Sequence, residues 1–178
     1  MSENRQGLIH IYCGDGKGKT SAAVGLAVRA AGRGFKVLVV RFLKTENSGE
    51  VGVLRSIPNI TVTPCDRTFG FVFRMSEEEK VEAAQYYQKR FETAVKEAAI
   101  GNYDLLILDE ILASCNYGMV QERSVLDFLQ KKPAEMEVVL TGRNPSEKLI
   151  GLADYVSEIC MRKHPYEKGI PARKGIEF

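Results

Sequence analysis

Cys13-Gly14-Asp15-Gly16-Lys17-Gly18-Lys19-Thr20-Ser21 separates two patterns of different period. Before it, residues 8–12 form a short apolar run of strand length. After it, Ala22, Ala23, Leu26, Ala27 and Ala30 recur at helical spacing until Gly32 and Gly34 stop the helix. A glycine-rich turn at a strand-to-helix junction lets the backbone take unusual φ angles and brings free amides close to an anion, and the helix dipole adds to the attraction. Lys19 supplies a point cation, and the Thr20 hydroxyl suits a Mg2+ shell. The turn therefore reads as a phosphate-binding loop. The plainer alternative is a surface turn that happens to contain Lys-Thr. One irregularity stands out: a standard loop of this kind opens with glycine one place before Gly14, where this chain has Cys13.

Working outward, strand-length apolar runs keep alternating with helical periods. Residues 36–41 read as a second strand, 45–52 as turn-rich, 60–63 as a β-branched strand closed by Pro64, and 65–75 as a loop. Ser76 and Glu79 form a capping box, followed by a long helix with an apolar face of Val81, Ala84, Tyr87, Phe91, Val95 and Ala98. Residues 105–108 are a continuous apolar run, as in a strand buried on both faces, and it ends in Asp109 and Glu110. A helix over 120–130, a strand over 138–140, a helix over 146–153 and a last strand over 155–161 follow, then a basic tail without clear period, 162–178. This alternation predicts an α/β fold, a mostly parallel central sheet flanked by helices. A strand-end carboxylate beside the glycine-rich loop can hold Mg2+ directly or through water. An ordinary acid pair at a helix N-terminus is the alternative for Asp109 and Glu110.

Composition narrows the function classes. A chain of 178 residues with 44% hydrophobic and 27% charged residues fits one domain spanning 1–178, with no linker or internal repeat to divide it. A formal charge of +2 does not mark a nucleic-acid or membrane-surface binder, so neither is expected as a partner. The polar start, residues 1–6, lacks the features of a signal or transit peptide, and a cytoplasmic location is expected. Cys13, Cys65, Cys115 and Cys160 are too scattered for a zinc or iron-sulfur site and read as reduced thiols. His10, inside the first strand, reads as a satisfied core residue. His164 in the basic tail is either solvated or in contact with a ligand. Arg143, following a strand end, is a candidate for contacting nucleotide or triphosphate. Phe69, Phe71 and Phe73 alternate as a buried strand face would.

Taken in order, the loop from Gly14 to Ser21, Arg41-Phe42-Leu43-Lys44, Phe69-Gly70-Phe71-Val72-Phe73, Leu106-Ile107-Leu108-Asp109-Glu110, Leu140-Thr141-Gly142-Arg143, and the tail with Lys163-His164-Pro165 and Gly175-Ile176-Glu177-Phe178 are similar to the P-loop type of ATP:corrinoid adenosyltransferase, nearly end to end. The resemblance implies a single-domain P-loop NTPase-like (RecA-like) fold. It also implies transfer of the 5′-deoxyadenosyl group of ATP to the Co(I) centre of a corrinoid, with triphosphate leaving. Gly14, Asp15, Gly16, Lys17, Gly18, Lys19, Thr20, Ser21 and Arg143 then fall to ATP and triphosphate, and Thr20, Asp109 and Glu110 to Mg2+. Lys19, Thr20 and Glu110 are the implied catalytic set. Phe71 and Phe73 are implied to meet the corrinoid and displace its lower axial ligand, with Phe73 standing where relatives often carry Trp; this chain has no Trp. A flavin-dependent reductase as electron donor and a homodimer are further implications. The competing readings are a small P-loop kinase or ATPase that cleaves the γ-phosphate, and a non-catalytic corrinoid carrier.

Overall fold

The alternation of periods becomes a parallel sheet in the computed structural model, which describes residues 5–177. Residues 1–4 of the polar start and Phe178 of the tail lie outside the described residues. The strands are β1 (Ile9–Cys13), β2 (Val37–Arg41), β3 (Ile60–Val62), β4 (Leu105–Asp109), β5 (Glu137–Thr141) and β6 (Tyr155–Glu158). They form one sheet in the order β3-β2-β4-β5-β1-β6, and every pairing is parallel. The helices are α1 (Lys19–Ala31), α2 (Glu50–Ser56), α3 (Glu77–Ile100), α4 (Ile111–Asn116), α5 (Glu122–Lys131) and α6 (Glu147–Leu152).

Apolar runs in β2 and β4 have no solvent side because both sheet faces are covered. Leu38, Val40, Leu106 and Leu108 join α3, α4 and α5 in one core, while Val37, Val39, Leu105 and Ile107 meet the alanine face of α1 and the Val51 and Leu54 side of α2 in the other. The alanines at 23, 27 and 30 keep α1 close to the sheet, which puts its N-terminus directly beyond the end of β1.

Register decides where the site forms. Arg41 lies level with Asp109, Leu108 with Leu140, and Tyr12 with Thr141, so the ends of β1, β2, β4 and β5 come together at one rim of the sheet. In open α/β sheets the crevice outside the carboxyl ends of the strands is where ligands bind.

Three sequence expectations are revised, and one alternative to the loop expected over 65–75 is excluded. Part of the turn-rich stretch is helix α2: Gly49 and Gly52 weaken helical propensity, but Val51 and Leu54 bury against the sheet, and that packing prevails. The buried stripe of α3 is Ala83, Tyr87, Phe91, Ala94 and Ala98, and Val81 is 58% exposed, because the small alanines occupy the closest approach to the sheet. β6 ends at Glu158, after which Met161 N–H donates to Asp15 Oδ1 and draws the chain toward the loop after β1. The alternating phenylalanines are not a strand: Gly70 takes φ 78° and Val72–Arg74 form a single 3-10 turn.

His10 is satisfied as expected, its Nε2 2.8 Å from Glu137 Oε2 and its ring stacked on Tyr155 at 4.7 Å. All four cysteines are free thiols. Gly142 has φ 143°, and a Cβ there would lie 2.7 Å from Leu112 Cβ, so alanine is excluded by backbone and packing together. Gly142→Ala is expected to cost about 2–4 kcal/mol of stability, read from urea unfolding; a loss below about 0.5 kcal/mol would contradict this packing account.

Candidate nucleotide and cation site

The loop between β1 and α1 is pinned from one side. Gly16 N–H donates to Ile159 O at 2.7 Å, and Gly14, at φ 103°, lies so near Ile159 that a Cβ would overlap its carbonyl oxygen. Only glycine fits there. The first turn of α1 carries no acid, and Gly18 caps it without a side-chain bond, which leaves the amides of that turn for an anion.

Lys19 turns back over this loop. It is only 8% exposed, and its Nζ donates to Gly16 O at 2.9 Å. Burial holds its pKa below the ordinary lysine value, with Glu110 pulling the other way. A charge kept in such surroundings gains most from an arriving polyphosphate.

Thr20 points to the end of β4. Its hydroxyl donates to Asp109 Oδ1 at 3.0 Å, and Thr141 at the end of β5 donates to the same oxygen at 2.7 Å. Thr141 Oγ1 also accepts Glu110 N–H at 2.8 Å. The other Asp109 oxygen pairs with Lys44 Nζ, which donates as well to Thr20 Oγ1 at 2.9 Å. Asp109 is 2% exposed, so this carboxylate is compensated entirely by its neighbours.

Glu110 joins β4 to α4. Its φ of 62° is left-handed, a conformation that costs a non-glycine residue energy and collects at functional sites. Burial raises its carboxyl pKa and Asp109 raises it further, against the pull of Lys44, Lys19 and Arg143. Arg143 Nη2 reaches Asp15 O at 3.4 Å, and Asp15 is held below its usual pKa by the Met161 amide. Lys17 pairs with Glu177 of the tail at 3.1 Å, and Arg173 also holds that carboxylate, pushing its pKa down to about 2.

Beside Thr20 and Lys44 opens a cleft of about 910 Å³, also lined by Ser21, Val24, Phe71 and Ile176. Phe69 anchors its aromatic loop against Tyr86 and Tyr87, with centroids 5.5 and 5.8 Å away. Phe71 and Phe73 instead stand 65% and 78% exposed, stacked on each other at 5.4 Å, with the Arg74 guanidinium within 6 Å of both rings.

The oxygens of Thr20 and Asp109 fit a hard divalent cation, and the Lys44 ammonium already seated between them shows that the position accepts positive charge. No group of three or more His, Cys, Asp or Glu among the described residues could hold a metal by itself. A cation here would complete its shell with phosphate oxygens and water.

The structure thus gathers Lys19, Thr20, Asp109, Glu110 and Arg143 around one loop and places Phe71 on the adjoining cleft, with Phe73 stacked against it. Ser21 lines that same cleft. The parts played by Lys44 and Thr141 were not evident from sequence, although each follows or ends a central strand, the place where a parallel sheet puts its ligand contacts.

This loop at this rim defines a P-loop nucleotide-binding fold. A solved KaiC-like protein from Pyrococcus horikoshii has the same architecture, with a TM-score of 0.50 and 14% identity over 89% of this chain and 75% of that one. The family is narrower. A family model described as ATP:corrinoid adenosyltransferase BtuR/CobO/CobP matches residues 5–178. The corrinoid adenosyltransferase of Pseudomonas aeruginosa is 34% identical, over 100% of this chain and 87% of that protein. The one from Escherichia coli K12 is 33% identical, over 100% and 89%. The chain belongs to the ATP:corrinoid adenosyltransferase family. No helix among the described residues is long and apolar enough to cross a membrane.

Proposed function

We propose that this protein transfers the 5′-deoxyadenosyl group of ATP to the Co(I) centre of a corrinoid, releasing inorganic triphosphate. The cobalt electron pair forms the Co–C bond at C5′, and the C5′–O bond breaks with its pair leaving on the triphosphate. Cobalt is the nucleophile, so the protein's tasks are to position two substrates and to receive the charge of a leaving group.

The observation that carries this reading is one cleft bordered by Thr20 and Lys44 at the phosphate loop and by Phe71 of an exposed aromatic pair. The amides at the start of α1, Lys19 and Arg143 would hold the triphosphate, and the buried Lys19 ammonium gains in strength as water is excluded. Thr20 and Asp109 would hold Mg2+, with Glu110 adding negative charge nearby; the ion would neutralise developing charge on the leaving triphosphate. Phe71 and Phe73 would cover the lower face of the corrin and keep an axial ligand from cobalt. A homodimer, a flavin-dependent reductase as source of Co(I) and a cytoplasmic setting belong to the same proposal.

The test combines the purified protein with Mg-ATP and chemically reduced cob(I)alamin. A photolabile alkylcobalamin with stoichiometric triphosphate is expected. ADP and phosphate with no change at cobalt would overturn the reading in favour of phosphoryl transfer.

A further inference from the structure

We infer that Lys44 is an exchangeable counter-ion, holding the cation seat in the nucleotide-free protein and moving to the triphosphate when nucleotide and divalent cation enter together. The inference rests on the proposed reading only in that a triphosphate occupies the loop.

The geometry is that of a coordinated ion. One ammonium touches both groups that would hold a divalent cation, Thr20 Oγ1 at 2.9 Å and the second carboxylate oxygen of Asp109. Thr20 and Thr141 occupy the first oxygen, so Lys44 is the only full positive charge bonded to this buried carboxylate among the described residues. A carboxylate so enclosed needs a cation, because a buried charge left without a partner is strongly destabilising.

Two cations cannot share that seat. At roughly 3 Å their repulsion is large wherever water is thin, so a divalent ion binds only as the ammonium leaves. Lys44 is built to leave. It lies beyond β2 after Leu43, whose φ is 53°, and its side chain, 21% exposed, opens onto the cleft. Its flexible four-carbon stem can redirect the charge without moving the strand. Thr20 directly follows the loop lysine, so a phosphate held at the start of α1 comes within reach of the displaced ammonium.

The consequence is an ordered site: the free protein resists divalent cations, and polyphosphate admits them by offering Lys44 a new partner. The test titrates the full chain with Mn2+ alone, following free Mn2+ by electron paramagnetic resonance, and separately with metal-free tripolyphosphate by calorimetry. Wild type is compared with Lys44→Met and Lys44→Gln, whose folding is checked by circular dichroism.

Both variants are expected to bind Mn2+ at least about tenfold more tightly than wild type and tripolyphosphate at least about tenfold more weakly. Mn2+ affinity unchanged or reduced in a folded variant would overturn the seat, and unchanged tripolyphosphate affinity would overturn the transfer. If neither variant folds, protein-bound Mn2+ in wild type that is no greater with tripolyphosphate than without it at equal free Mn2+, read by equilibrium dialysis against protein-free Mn2+–tripolyphosphate solutions, would overturn the exchange. Corrinoid is absent throughout, so these outcomes are independent of whether cobalt is alkylated.

Discussion

Lys19→Ala is expected to leave a folded protein whose kcat/KM for ATP falls by about 10³-fold or more. The two halves of that statement have one cause. The ammonium of Lys19 is nearly buried and donates to a single carbonyl, that of Gly16, and burial holds its pKa below that of an ordinary lysine. Folding therefore disfavours the charged form. Between the lowered pKa and the ordinary value near 10.5 the unfolded chain binds more protons, so the contribution of Lys19 to stability improves as pH rises through that window. At neutral pH the charge is a cost, which a bound triphosphate would offset on the proposed reading. The alanine variant should accordingly melt no lower than wild type at pH 7, and any advantage should shrink as pH approaches 10. Thermal melts across pH and calorimetry with ATP check both halves. Unaltered turnover would contradict the loop assignment, and a collapsed variant would show that Lys19 serves the fold.

How much of this was legible in the sequence depends on how local each signal is. The phosphate loop, the capping box at Ser76 and the double-faced apolar run of β4 are written in neighbouring residues, and each forms where expected. Helix α2 was not legible, because its glycines argue against it and its support is the burial of Val51 and Leu54 on a sheet assembled from distant segments. The aromatic loop misleads for a related reason. Period two offers a buried face, but Gly70 and the following 3-10 turn leave Phe69 half-buried against the core and send its two partners outward.

The site divides in the same way. Lys19 and Thr20 are recognisable from the loop that carries them. The contact of Lys44 with Asp109 spans 65 residues and exists because β2 and β4 are neighbours in register, with Arg41 level with Asp109. Thr141 joins them through the β5 neighbour of β4. Strand order is a global property that no local period encodes, and so the residues that tune the Asp109 carboxylate were harder to read than the carboxylate itself.

Phe73→Asp is expected to reduce adenosylation by at least about 10²-fold when the corrinoid is supplied as Co(II) with a reductant, and by less than about tenfold when it is supplied as chemically reduced Co(I). The side chain is 78% exposed and packs on Phe71, so replacing it should change stability by no more than about 0.5 kcal/mol. The effect must then come from the corrinoid. Burying a phenylalanine against an apolar ring is worth about 1.5–3 kcal/mol, and a carboxylate in its place must also lose its water. Arg74, 5.6 Å from the ring, would pair with the new carboxylate and pull it from the cleft rather than restore a wedge. Under the proposed axial-ligand role, Co(II) corrinoid would depend on that wedge, because its lower axial ligand would have to be displaced before cobalt accepts an electron at an accessible potential. Co(I) arrives already four-coordinate and needs only positioning. Phe73→Trp, which keeps an aromatic side chain at this position, should retain both activities and separates loss of an apolar surface from mere change of shape. Equal losses of the two activities in the aspartate variant would assign Phe73 to general corrinoid binding and remove the axial-ligand role from this loop.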